Sequence, residues 1–241
     1  MIEGRAGWFR LVLGLFLVFG LFHGSATILG SDRGQHGVLI GLSIVAATAA
    51  ADRFLLPRRR GARHLGLGRP RTKGIVAAFG IALVLLIVGI LFVRARGLTP
   101  AFYPGWVSLL PGLFTQAGIA EEFLFRGYLF GHIRVGRTFW RAAALSMLPF
   151  VGVHLVLFLS MPWPIALASV LLAVVISFPL AYLFELGGET IWAPALLHFV
   201  IQATVKVVVF SQGAESFALV WMAASALIPL LVFTVRPRSH T

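Results

Sequence analysis

Apolar residues in this chain come in runs about as long as a bilayer is thick, separated by short polar gaps. Leu11 to Leu29 is the first run, and at about 19 residues it is long enough to span and too long for a signal-peptide core. Val38 to Ala51, extendable to Leu56, is the second, and Ile75 to Val93 the third. Trp106 to Gly131 follows, interrupted by Pro111-Gly112 and Gly118, an arrangement that predicts a kinked helix. Ala142 to Leu159, Pro164 to Phe184, Ile191 to Phe210 and Phe217 to Val235 complete the series. The pattern predicts an all-α polytopic membrane protein with eight transmembrane helices, and no linker or repeat divides residues 1–241 into more than one membrane domain.

The gaps set an orientation. Asp52 to Gly74 holds Arg53, Arg58, Arg59, Arg60, Arg63, Arg69, Arg71 and Lys73 against a single acid, and Arg134, Arg137 and Arg141 close the fourth run. The segments expected outside carry only Arg33, Arg94 and Arg96, so the positive-inside rule predicts a cytoplasmic Asp52–Gly74 loop and, with eight spans, both termini inside.

Composition agrees: 59% of residues are hydrophobic and 12% charged, with a mean hydropathy of +0.95. The formal net charge of +12 sits in short loops, where topology and anionic lipid account for it, and it predicts a bilayer rather than nucleic acid as partner. With no cysteine, a thiol nucleophile and Cys-ligated zinc are excluded, and catalysis falls to Glu, His, Asp, Ser or a metal on N and O ligands.

Against this background Ala117 to Gly131, AGIAEEFLFRGYLFG, is anomalous. A charge at bilayer depth costs at least about 2.5–3.5 kcal/mol on insertion scales, so Glu121, Glu122 and Arg126 need partners, water or a function. Glu122 and Arg126 are an i,i+4 pair on one helical face; Glu121 points about 100° away, which leaves one carboxylate free. His154 and His198 are the other ionisable groups away from helix ends. At ~1.5 Å per residue, Glu121 lies ~15 Å from its cytoplasmic helix end, His154 ~20 Å and His198 ~12 Å, depths that overlap and predict one intramembrane polar cavity. Phe150 lies one turn before His154, and Gln202 one turn after His198. A Glu beside a His can activate water, and two convergent N–H donors can stabilise an oxyanion, an inventory suited to peptide hydrolysis. Taken singly, Glu122–Arg126 reads as a structural ion pair and a lone membrane His as a helix-to-helix hydrogen-bonding residue. Lys206, a further turn along from Gln202, reads as a snorkelling residue.

The ordered set resembles the CPBP family of intramembrane proteases, which includes type II CAAX prenyl endopeptidases and bacteriocin-processing and immunity proteins. Its EExxxR motif is matched by Glu121, Glu122 and Arg126, its FxxxH by Phe150 and His154, and its HxxxN, in variant form, by His198 and Gln202. Ile191-Trp192-Ala193-Pro194 resembles the lead-in to the last motif, and the likeness covers about residues 112–202. The resemblance implies an eight-helix fold with a conical cavity open to cytoplasm and membrane, and a glutamate-dependent endopeptidase acting on a peptide or lipidated peptide. It implies that Glu121 and His154 position the attacking water and that His198 and Gln202 form the oxyanion site, with Glu122, Arg126 and Phe150 in support.

Gln202 stands where Asn is usual. One extra methylene moves the amide by up to ~1.5 Å, and ~1 Å of misplacement can cost about 10²-fold in rate. Glu121, His154 and His198 can also hold Zn²⁺ with water in the fourth position, although Arg126 beside the carboxylates disfavours a dication, so metal-free activation is the expectation. Two other functions compete: a catalytically silent scaffold or bacteriocin-immunity protein, and a proton-coupled transporter relaying protons through Glu121 and the histidines.

Overall fold

A computed structural model describes residues 4–30, 33–56 and 65–236. Four residues of the expected cytoplasmic loop, Arg58, Arg59, Arg60 and Arg63, and Arg238 of the tail lie outside them. The described chain is helical apart from one short strand pair. In order it forms α1 (Gly4–Ile28), α2 (Gly37–Leu55), α3 (Thr72–Ala95), β1 (Pro100–Phe102), α4 (Trp106–Leu113), α5 (Gly131–Arg134), α6 (Phe139–His154), α7 (Trp163–Leu186), α8 (Trp192–Val207), β2 (Val208–Phe210) and α9 (Ala214–Leu227). Between α4 and α5 the helix does not stop but widens: Phe114–Ala120 and Phe123–Phe130 are π-helical, with Glu121 and Glu122 between them. Short 3₁₀ turns extend α6 over Leu155–Leu159 and α9 over Ile228–Thr234, the latter beginning where Pro229 offers no N–H.

Among the described residues six helices are long and apolar enough to cross a membrane: Arg5–Ile28, Gly37–Leu55, Thr72–Ala95, Phe139–Leu159, Trp163–Leu186 and Ala214–Thr234. This is an integral membrane protein, and six of the eight expected spans are recognised by length and composition. The fourth expected run is split by its π segments and three charged residues. The seventh is a helix of 16 residues, about 24 Å at the usual rise, after which the chain turns extended into β2 rather than staying helical to Phe210. These two runs hold the motif residues Glu121, Glu122, Arg126, His198 and Gln202. β2 pairs antiparallel with β1, Ala101 opposite Val209, and the Tyr103 N–H donates to the Val207 carbonyl at 2.8 Å, which ties the far end of α8 to the entry of α4.

The expected kink at Pro111-Gly112 becomes a change of winding. Pro111 lies inside α4, and its carbonyl accepts from the Thr115 hydroxyl at 2.7 Å. The Glu121 N–H reaches back five residues to the Gln116 carbonyl, the mark of π winding, which recurs at functional sites. Small residues let neighbours lie against this widened helix. A Cβ on Gly37 of α2 would stand 2.4 Å from the Gly112 carbonyl oxygen, and one on Gly118 would stand 3.0 Å from that of Ala195 on α8. Close approach of this kind is how membrane helices gain packing that lipid cannot supply.

Asp52, read from the sequence as a loop residue, is instead on α2 and 5% exposed. Its carboxylate lies 3.0 Å from His132 Nε2 on α5, and His132 Nδ1 is 2.6 Å from the Tyr128 carbonyl. The Tyr128 hydroxyl donates to the Leu11 carbonyl on α1 at 3.2 Å. At the same end the segment before α3 is fastened to the α7–α8 turn. The Ile191 N–H donates to Gly66, the Trp192 indole to Gly68 and the Arg71 N–H to Gly187, at 2.9–3.0 Å.

The glycine contacts make a prediction. Gly37→Ala forces α2 off the 106–134 helix and is expected to cost about 1–3 kcal/mol, whereas Gly20→Ala, with nothing within 4 Å of its added carbon, stays within about 0.5 kcal/mol. Unfolding of the detergent-solubilised variants in denaturant measures the difference.

Candidate active site

The site is built on three elements: the turn between the two π segments, the end of α6 and the middle of α8. Glu122 is its centre. It is fully buried, and its Oε1 accepts from Arg126 Nη1 at 3.1 Å and from His198 Nδ1 at 2.7 Å. Its Oε2 is also buried and has no hydrogen-bond partner among the described residues. The Arg126 pairing follows from the helix itself, since residues four apart share a face. The His198 bond joins residues 76 positions apart and fixes α8 against the motif helix.

That bond also fixes a tautomer. Nδ1–H of His198 is committed to Glu122, which turns Nε2 toward Glu121, 3.8 Å from its Oε2. The gap is too long for a direct hydrogen bond. Glu121 is the more open carboxylate, its side chain 18% exposed where that of Glu122 is 0%. No side chain among the described residues donates a hydrogen bond to it. Two adjacent acids thus have different surroundings: one enclosed, with an oxygen committed to both Arg126 and His198, the other more open with no side-chain hydrogen-bond donor among the described residues.

Phe150 organises the remaining wall. It is buried on α6, its ring 4.8 Å from that of His154, 4.8 Å from Phe125 and 6.4 Å from His198, each edge to face, and the Arg126 guanidinium lies over it at 4.5 Å. A cation over an aromatic face gains about 0.5–2 kcal/mol, more when dry, so one ring steadies the arginine and orients both imidazoles. His154 Nδ1 lies 2.7 Å from the Phe150 carbonyl. Donation to that carbonyl places the hydrogen on Nδ1 and leaves Nε2 of the neutral ring as an acceptor.

Of the residues singled out in the sequence, Glu121, Glu122, Arg126 and His198 form one connected group, with Phe150 and His154 joined to it through ring contacts. Gln202, one turn after His198 on α8, is half-buried and makes no hydrogen bond to His198 or Glu121 among the described residues. Glu121, His154 and His198 do not assemble as a zinc set, because among the described residues no three His, Asp or Glu side chains are grouped to hold an ion. The present side chains do not fit that metal.

Motif reading passed over Gln116, whose backbone carbonyl receives the Glu121 N–H and whose buried side-chain Oε1 has no partner among the described residues. Nothing in its spacing from Glu121 would mark it on an ordinary α-helix, because the link exists only with π winding.

Residues 103–204, which contain every element of this site, match the family model described as type II CAAX prenyl endopeptidase Rce1-like. The likeness is to that family and covers less than half of the chain. It runs from the residue after β1 to the last turn of α8, so the match ends within a few residues of the structural unit that frames Glu121. No curated protein matches the chain. Among the helices before residue 103, α2 packs against this unit through Gly37 and Gly41, which lie against Gly112 and Thr115.

The geometry separates two kinds of substitution. Arg126→Ala leaves the buried Glu122 carboxylate with His198 alone and is expected to destabilise by about 3–5 kcal/mol. Phe150→Leu keeps apolar volume while removing the ring face, and is expected to cost less than about 1.5 kcal/mol in stability. Denaturant titration of the two purified proteins gives the ordering, and an Arg126→Ala cost no larger than that of Phe150→Leu would count against Glu122 depending on the arginine.

Proposed function

We propose that the chain is an intramembrane endopeptidase of the CAAX-processing type, in which Glu121 activates the water that hydrolyses a peptide bond. The observation that carries this reading is the contrast between the two acids of one motif: Glu122 spent on Arg126 and His198, Glu121 partly open with no hydrogen bond from a neighbouring side chain. It is supported by the Rce1-like match over the same residues.

In this mechanism the Glu121 carboxylate, with His154 Nε2 as a second acceptor, takes a proton from water as its oxygen bonds to the carbonyl carbon. The carbonyl oxygen becomes an oxyanion facing His198 Nε2–H and the Gln202 amide. The carbon–nitrogen bond then breaks, and the proton held by Glu121 passes to the leaving amine. Because His198 Nδ1–H is held by Glu122, donation from Nε2 needs the second ring proton, and the Glu122 carboxylate offsets the charge that this proton brings. Arg126 and Phe150 fix that arrangement without touching the substrate.

The substrate class suggested by the family is a peptide ending in a prenylated Cys-a-a-X sequence, delivered from the bilayer by its lipid. A second reading, a catalytically silent scaffold, is favoured by one observation: Gln202 stands in the usual Asn position and hydrogen-bonds to none of the site residues.

Purified protein in liposomes, given an internally quenched peptide with a farnesylated cysteine four residues from its C-terminus, decides between the readings. Cleavage is expected, and Glu121→Gln and His154→Ala are each expected to reduce kcat/KM by about 10²–10⁴-fold while the proteins stay folded. Undiminished cleavage by Glu121→Gln would sink the proposal. Gln202→Asn is expected to raise the rate; no cleavage by either form favours the scaffold.

A further inference from the structure

A single hydrogen bond fixes a distance between two helices but not the angle at which one faces the other. His198 is joined to the motif helix by such a bond, Nδ1 to Glu122 at 2.7 Å, while its Nε2 stands 3.8 Å from Glu121. In the proposed mechanism that second nitrogen meets the oxyanion, and its aim depends on how α8 is turned. At the ~5–6 Å radius of side chains on a helix, a turn of ~10° displaces a group by ~1 Å. A displacement of ~1 Å can cost about 10²-fold in rate.

α9 supplies a second hold. Trp221 is 2% exposed, and its indole N–H donates to the Ile201 carbonyl at 3.0 Å, three residues after His198 and one before Gln202. A buried indole N–H needs an acceptor. A helix carbonyl has a second lone pair beside the one its own helix uses, so the bond fastens α8 without breaking it. The ring itself is fixed from two other directions. Phe217, one turn earlier on α9, stacks on it with centroids 6.0 Å apart. On α3 the bare backbone of Gly89 makes room for it, since a Cβ there would stand 3.0 Å from the ring. Among the described residues, the Glu122–His198 and Trp221–Ile201 bonds are the hydrogen bonds that reach the middle of α8 from other helices.

We propose that Trp221 is a positioning residue, a second mount that fixes the angle at which α8 presents His198 to Glu121. The assignment rests on the reading of His198 as the oxyanion donor. Glu122 sets where the imidazole is anchored, and Trp221 sets which way its helix faces. Enclosed between α3, α8 and α9, the indole acts only through the backbone of α8.

Two replacements test this in the full-length protein in liposomes: Trp221→Phe, and Trp221 replaced by benzothienylalanine, which keeps the bicyclic shape and lacks only the N–H. Each is expected to lower kcat on the quenched farnesylated peptide about tenfold with KM within about twofold. The position of α8 is read without activity by a thiol crosslink between Phe114→Cys and Phe199→Cys, whose native rings lie 5.4 Å apart across the two helices in a chain with no cysteine of its own. Loss of the N–H is expected to lower the crosslinking yield about threefold or more, as one hydrogen bond implies, with the midpoint of the benzothienylalanine form moving by only about 2–4 °C. An unchanged kcat in a cleaving protein, or a full crosslinking yield in the benzothienylalanine form, overturns the proposal and leaves Trp221 a packing residue. No cleavage by any form, or undiminished cleavage by Glu121→Gln, defeats the protease reading instead, and the crosslinking yield then still decides for or against the mount.

Discussion

Glu122 holds the protein's chemistry together. A fully enclosed carboxylate in a lipid-embedded helix is among the costliest groups a chain can carry, and it is tolerated here because one oxygen receives both a guanidinium and an imidazole N–H. The arginine comes from the same helix and would be present in any fold of this segment. The imidazole comes from α8, so the cost of the carboxylate is met only once α8 is in place. Satisfying the acid and assembling the site are therefore one event, and the energy that makes Glu122 expensive is what specifies where His198 sits.

The same bond divides labour between two adjacent acids. On an α-helix consecutive residues differ by about 100° in direction, and here π winding on both sides displaces them further from the ordinary register. Glu122 turns into the interface with α8, while Glu121 stays at a more open position with its oxygens unclaimed. Phe150 extends the arrangement to α6 by giving a single aromatic surface to Arg126, His154 and His198. Rigidity is thus concentrated in groups that do not meet the reacting bond.

Much of this could be read from residue patterns. The long apolar runs mark the helices to within a few residues, because lipid leaves the backbone few alternatives. The Glu122–Arg126 pair is legible because its partners are one turn apart. The Glu122–His198 bond is not, since nothing local in either segment says which nitrogen meets which oxygen across 76 residues. The π segments were equally hidden: Pro111, Gly112 and Gly118 look like ingredients of a kink, and only the packing of Gly112 against α2 and of Gly118 against α8 shows a wider helix. Asp52 was assigned to a loop because arginines follow it, yet α2 runs on to Leu55 and buries it against His132. The count of eight spans is not confirmed where the chemistry lies, for the physical reason that charged residues and a short α8 depart from the plain apolar pattern by which spans are recognised.

The fastening of Gly66, Gly68 and Arg71 to Gly187, Ile191 and Trp192 bears on the order of biosynthesis. A segment that leaves the ribosome in the first third of translation finds its hydrogen-bond partners only when the α7–α8 turn emerges, more than a hundred residues later. Early helices can enter the bilayer but cannot be locked, and truncated chains that stop before Ile191 lack both the latch and His198. A nascent chain thus carries Glu122 paired with Arg126 alone until α8 arrives with His198.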